Sequence, residues 1–537
     1  MKNIEIPYES ERTKRYRFFE ILPGVLSWTL LSMPLVLTLI NPTLGVLFVL
    51  IFLLIWFIKA IALNIRSIQG FGTLQRHKKY HWKCMVDDLR RGKVSQKHNH
   101  KHIPDWHTNN VELLKGHENP IAVDDMYHAI VIASYNESLE VLEPTVKSVI
   151  DSDFDMKRVI LVMAYEERNG AQSEPAVQEI VKKYGSVFKH VMACKHPVTE
   201  GEVKGKGGNI TYAARKLTNY VKKQKIDPLN VIVTTLDADN RPDKNYLNAL
   251  TYVYALTEDP KYVSFQPIPM FTNNIWDAPA PMRVIATGNS FWNIILSLRQ
   301  HMLRNFSSHA QSLQTLVDTD YWSVRTIVED GHQFWRTYFR YDGNHDVFPL
   351  YVPIYQDAVL AQNYRKTIKA QFLQIRRWAW GASDVAYVAE KGFFTKSKIS
   401  RLDVFAKFLR LLDGHVNWAA APLLLALGAF VPPLVSNENF AAVQLPNLAS
   451  TIQTIALSGI LISLFLGLRT LPPKPARYKR RRSIGMVLQW ALLPLTMIVF
   501  NSLAALNSQT RLIFGWYVGE FDVTTKTVVT DDKKRVT

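Results

Sequence analysis

Cysteine is nearly absent: Cys84 and Cys194 are the only two in 537 residues. So few thiols exclude a disulfide framework and fit a reducing compartment. Charge is missing locally rather than overall. Between residues 21 and 65, Lys59 is the only charged side chain. Asn41 and Pro42 divide that stretch into runs 23–40 and 43–63, each about the ~20 residues that a spanning helix needs. It is too long for a signal peptide and lacks a small-residue cleavage site. Three more apolar runs occupy 416–435, 450–468 and 484–506. No RRM-like or zinc-finger pattern accompanies the net charge of +18, so nucleic acid is not the expected partner. Basic residues beside helix ends suit anionic membrane lipid instead.

What is present falls into a plan. Residues 1–20 form a basic tail, with Arg12, Lys14, Arg15 and Arg17 before the first run. A transmembrane hairpin covers 21–65 and a polar, basic, irregular linker 66–122. A catalytic-sized domain covers 123–398, and a basic interfacial helix 399–415 carries Leu402, Phe405, Leu409 and Leu412 on one side. Membrane segments fill 416–506 and a tail runs over 507–537. The loop 436–449 has no Lys or Arg, whereas 474–482 has six, so the positive-inside rule places the large domain in the cytosol, at a bacterial inner or plasma membrane. His98, His100, His102 and His107 lie in the linker, but Lys97 and Lys101 repel a cation and no Cys completes a site. A solvated linker is the expected reading.

Within the domain, near-continuous apolar runs at 128–134, 159–163 and 231–236 alternate with helical stretches. That pattern predicts a parallel sheet covered on both faces, with ligands at the carboxyl ends of its strands. Tyr135-Asn136-Glu137 and Asp237-Ala238-Asp239 follow two such ends. Two carboxylates leaving a strand can face one cation, and hard oxygen donors suit Mg²⁺ or Mn²⁺; a solvated loop is the alternative. Lys204-Gly205-Lys206-Gly207-Gly208-Asn209 before a helix reads as an anion loop or as a flexible basic loop. It is not a Walker loop, because Gly201 lies one residue too close to Gly205-Lys206 and Gly207 replaces the Ser or Thr. Glu329-Asp330 offers a general base or merely favours a helix dipole. On a helix, Gln374, Arg377 and Trp378 share one face, joining an amide, a phosphate-pairing cation and a flat ring; an interfacial Trp-Arg anchor is the alternative.

The order of these motifs resembles the membrane-embedded family-2 glycosyltransferases, such as bacterial cellulose synthase catalytic subunits and hyaluronan or chitin synthases. The likeness is strong over 128–385. It implies an α/β fold with a GT-A (Rossmann-like) nucleotide-sugar domain inserted between N-terminal and C-terminal transmembrane helices. It implies that Asp237 and Asp239 hold Mg²⁺ or Mn²⁺ and that Asp330, beside Glu329, is the base. Tyr135, Asn136, Glu137, Lys206, Asn209 and Asp237 would contact the donor, and Gln374, Arg377 and Trp378 the acceptor or diphosphate. Two departures stand out. Val328 replaces the Thr of Thr-Glu-Asp, and the Asp after the second strand has only Glu166 or Glu167 as a substitute. Phe521, Val523, Thr524 and Lys526 match the gating-loop pattern of cellulose synthases.

The expected function is inverting transfer from a nucleotide-sugar, UDP-linked, to a growing polysaccharide at the cytosolic membrane face. A lipid-linked acceptor and a single transfer form the alternative. So few spans suit a wide channel only with a homo-oligomer or an export partner. A transporter or scaffold with a degenerate nucleotide-binding domain is the rival of another class, although spans so bare of charge argue against it. Five spans would put residue 521 outside. A re-entrant or interfacial 484–506, broken near Pro494, would keep the tail cytosolic, and that is the preferred expectation.

Overall fold

The computed structural model describes residues 4–95, 102–118 and 120–519. His98, His100 and Phe521–Lys526 fall outside them. Eight strands form one sheet: β1 Tyr127–Ser134, β2 Val159–Glu166, β3 His190–His196, β4 Val231–Asp237, β5 Arg241–Pro242, β6 Val263–Met270, β7 Ala310–Ser312 and β8 Asp346–Tyr355. Their order is β3-β2-β1-β4-β7-β6-β8-β5. The first four pair in parallel, and β7 then pairs antiparallel with β4 and with β6. Helices Leu139–Ile150, Gly170–Tyr184 and Lys206–Lys223 make the crossovers that parallel neighbours require. Both faces are buried. Ile130, Ile132 and Leu161 pack into one core, and Ala129, Val131 and Ile160 into the other. That double burial is why these strands read as unbroken apolar runs. The expected α/β domain, with parallel strands covered on both faces and set between two groups of membrane-length helices, is the observed architecture.

Five helices among the described residues are long and apolar enough to cross a membrane: Lys14–Ile40, Pro42–His77, Arg401–Val435, Phe440–Thr470 and Arg480–Phe514. The third corrects an expectation. An interfacial helix ending at 415 was expected before a separate span from 416, but Arg401–Leu427 is one continuous helix, with Phe408, Leu412 and Val416 in the same core. The linker reading also changes. Trp82–Arg91 and Trp106–Lys115 are helices, and Trp82, Met85, Leu89 and Val111 join the sheet core. His107 is fully buried, with Nδ1 2.8 Å from Tyr252 Oη and Nε2 3.2 Å from Asp88. It is a core residue and no part of a solvated linker.

The last helix has both ends against the α/β domain. Near its start Arg482 donates to the Trp276 and Ala278 carbonyls at 2.6 and 2.9 Å. At its end Leu512 packs with Ile327 and Trp380, and Arg17 donates to the Leu512 carbonyl at 3.0 Å. Between them the helix tightens at Gln489–Leu492 and loosens into a π turn at Met497–Ser502, on either side of Pro494.

The N-terminal residues are tied down as well. Glu5 bonds Arg336 at 2.7 Å and accepts from Ser323 Oγ at 2.5 Å, while Tyr387 Oη donates to the Ile4 carbonyl at 2.7 Å. The first helix is closed by a clasp: buried Glu20 accepts from Arg12 at 2.9 Å, from Arg17 and from Tyr517 Oη at 2.8 Å.

Candidate active site

β1 and β4 are in register at their carboxyl ends, where Ala133 lies opposite Asp237. Past Asp237 the chain turns, with Asn240 N–H donating back to the Asp237 carbonyl at 3.0 Å. Thr145 Oγ1 holds the Ala238 carbonyl at 2.7 Å and fixes the turn from beneath. Asp237 accepts from Ser307 Oγ at 2.8 Å, and Asp239 from the Asp357 N–H at 3.0 Å. Across from them the Glu329–Arg340 helix begins with Glu329 and Asp330 in its first turn, where the helix dipole favours negative charge.

Lys206 joins the two sides. Its Nζ lies 3.0 Å from Asp237 Oδ1, 3.0 Å from Asp330 Oδ2 and 3.7 Å from Glu329 Oε1. Burial works against this ammonium, but the charges of Asp237, Asp330 and Glu329 outweigh it and hold its proton above the usual lysine range. Glu329 is fully buried. Desolvation first, then the Asp330 charge, push its carboxyl well above the usual carboxylate range.

The glycine loop carries Lys206 to the carboxylates of Asp237, Asp330 and Glu329. A Cβ at Gly207 would overlap the Ser323 carbonyl oxygen, and one at Gly208 would lie 2.6 Å from Glu202 Oε2. Glycine lets the Lys206–Lys223 helix approach the segment before Glu329 closely enough for the lysine to reach both acids.

A cavity of about 1360 Å³ opens over these groups. Asp237, Asp239, Glu329, Asp330 and Lys206 line it, and so do Tyr135, Glu137, Glu166 and Asn209 from the ends of β1, β2 and the helix after β3. Gln374, Arg377 and Trp378 reach it from the Tyr364–Ala379 helix, whereas Arg376 does not line it. Ile375 and Trp378 pack in one cluster with Met486, Phe500 and Ala504, so the last helix braces this one.

Other expected residues stand differently. Asn136 is exposed and Glu167 accepts from the Val198 N–H at 3.4 Å; neither lines the cavity. Of the two glutamates after β2, only Glu166 does, in an ion pair with Arg168. Glu137 folds back to accept from Ser134 Oγ and from the Tyr135 and Asn136 N–H groups at 3.1, 2.7 and 3.2 Å, which shapes the β1 loop. Asn209 donates to the Ser134 and Ala164 carbonyls at 3.3 and 3.1 Å and ties two strand ends together. Val328 makes no side-chain cap and packs with Ile327, Trp380 and Leu512.

Sequence reading missed His309 and Ser307. His309 Nδ1 lies 3.6 Å from Asp330 and 2.9 Å from the Phe306 carbonyl, while Trp322 Nε1–H donates to Nε2 at 3.3 Å. That pattern places the ring's proton on Nδ1, and burial lowers its pKa despite the Asp330 charge. Both residues come from the irregular segment before β7, which carries no periodic signal.

Asp237 and Asp239 would hold a divalent cation only as part of a shared coordination shell. Both carboxylates are hard oxygen donors in a cavity that holds more acids than cations. Among the described residues no group of three His, Cys, Asp or Glu could hold an ion unaided, so water and a bound phosphate would fill the remaining positions.

No family model and no curated protein matches this chain. Among solved structures it is similar to a mannosyltransferase from Pyrobaculum calidifontis in complex with GDP-Man and Mn²⁺: 13% identity, TM-score 0.39, covering 84% of this chain and 99% of that one. It is also similar to S. aureus TarS 1–349, at 13% identity and TM-score 0.32, covering 63% and 90%, and to that protein in complex with UDP-GlcNAc, at 14% identity and TM-score 0.30, covering 62% and 92%. Likenesses of this size assign no activity, which has to be argued from the side chains.

Proposed function

We propose that this protein is a membrane-anchored, metal-dependent, inverting glycosyltransferase that moves a sugar from a nucleotide-sugar to an acceptor hydroxyl. The observation that carries the reading is the convergence of Asp237, Asp239 and Asp330 on one cavity whose other wall bears Gln374, Arg377 and Trp378. Asp330 takes the proton of the attacking hydroxyl. Lys206, 3.0 Å from it, fixes its orientation. Arg377 pairs with the donor diphosphate, and Trp378 offers a face to a sugar ring. A divalent ion at Asp237 and Asp239 supplies neutralisation of the departing diphosphate. Asp330→Asn is expected to cut turnover by about 10²–10⁴-fold while nucleotide-sugar binding, measured by calorimetry, persists. Wild-type turnover in that variant would refute the assignment.

One observation favours the lipid-linked acceptor over a polysaccharide threaded outwards. The cavity extends as an apolar slot between membrane-length helices, where Trp56 and Leu63 on one and Leu425 on another line it. Gln453 also donates to the Leu425 carbonyl there. An acceptor with an apolar chain fits such a lining better than a growing polysaccharide does.

A further inference from the structure

Four arginines gather where the slot meets the α/β domain. Arg66 comes from the Pro42–His77 helix, Arg299 and Arg304 from the turn after Ala280–Ser297, and Arg410 from Arg401–Leu427. Arg66, Arg299 and Arg304 line the cavity. Arg304 stacks over Phe334 at 4.1 Å and Trp335 at 5.0 Å and donates to the Leu303 carbonyl at 2.8 Å. The side chains of Arg66, Arg299 and Arg410 show no hydrogen bond and no ion pair among the described residues. Asp403, whose charge reaches Arg304, is already bound by Tyr338 and by Lys407 Nζ at 2.5 Å.

The four charges act on one another. Burial and then the Arg66 and Arg410 charges lower the pKa of Arg299, and burial and then Arg410 lower that of Arg304. Three of these cations share one cavity wall, and of the carboxylates whose charge reaches Arg304, Asp403 and Asp346, the first is already bonded elsewhere; such a cluster calls for an anion from outside the chain. Guanidinium forks match phosphate oxygens two at a time. The apolar slot that starts at the same place identifies the rest of the molecule. Trp56, Phe57 and Ala60 on one helix and Ile452, Leu457 and Ile460 on another offer a channel for a hydrocarbon chain.

We propose that Arg66, Arg299, Arg304 and Arg410 bind the phosphate of a lipid-linked acceptor whose hydrocarbon chain lies in the slot. The acceptor role rests on the glycosyl-transfer reading above; the binding does not. The phosphate anchors the acceptor, and its sugar hydroxyl is presented to the carboxylate centre. The hydroxyl oxygen then bonds to the anomeric carbon of the donor. The bond from that carbon to the diphosphate breaks, its electron pair leaves on the diphosphate, and the hydroxyl proton passes to Asp330.

The test measures binding without turnover. The full chain in phosphatidylcholine nanodiscs is titrated with a long-chain isoprenyl phosphate and with its parent alcohol. The phosphate is expected to bind at least about tenfold more tightly, since charge-assisted bonds are the stronger class. The pair Arg66→Gln with Arg299→Gln should lose that advantage, and Arg66→Lys with Arg299→Lys should keep part of it. Equal affinity for the alcohol, unchanged binding in the glutamine pair or equal loss in the lysine pair would overturn the proposal. So would displacement by inorganic phosphate or phosphatidylglycerol at the concentration of the probe, which would identify a free anion or a bulk headgroup as the occupant. Failure of donor turnover alongside intact lipid-phosphate binding would remove the reaction and leave the site.

Discussion

At the scale of single residues, the site is organised by one lysine among acids. Its neighbour Glu329 gives a pH dependence with a definite sign. Its folded pKa lies above its ordinary value of 4.5, so the native state holds a proton that the unfolded chain has released. Stability from this group is therefore complete below 4.5 and is lost as pH rises through the elevated folded value. Thermal unfolding across that range should show the midpoint falling in the wild type and a flatter profile in Glu329→Gln. Identical profiles would mean that the carboxyl is ionised when folded.

At the scale of elements, the Ile4–Ile6 segment is the least expected part of the domain. It lies against the helix that carries Asp330, through Glu5 and the buried Arg336. Glu5→Ala leaves that guanidinium buried without its carboxylate, and the loss should fall at the lower end of ~3–5 kcal/mol because Glu5 keeps some contact with water. Chemical denaturation measures it; a change under about 0.5 kcal/mol, the size of an ordinary surface substitution, would rule the contact out as structural. Nothing in Ile4-Glu5-Ile6 announces this role, because so short a segment acquires it only from partners more than three hundred residues away. The strands were legible for the opposite reason. Burial on both faces writes itself locally as Val/Ile runs, and the acids that follow them mark the carboxyl edge of the sheet. The helix 82–91 was hidden because its apolar face alternates with charges that read as linker. Residue 416 looked like a boundary because charge ends there, although the backbone continues unbroken.

At the scale of the whole molecule, the two ends of Arg480–Phe514 set the topology. Both contact the α/β domain, so this segment is expected to stay on the domain side and leave four of the five candidate helices to cross. A cysteine at Asn437 should react with an impermeant thiol reagent on intact cells. One at Gly519 should react only after lysis, with Cys84 and Cys194 replaced beforehand. Labelling at Gly519 from outside would restore five crossings.

The clasp at Glu20 has a consequence for the order of assembly. Its partners Arg12 and Arg17 are made almost at once, but Tyr517 lies 497 positions further on. Ser27 likewise waits for Gln509 and Trp28 for Thr510. At ordinary rates of synthesis, ~5–20 residues per second, the first helix stands for on the order of a minute with one flank unpacked. Long-range contacts of this kind form late and slowly. During translation the flank of the first helix that meets residues 509–517 thus stays open, and the bundle is completed only when those residues fold back onto it.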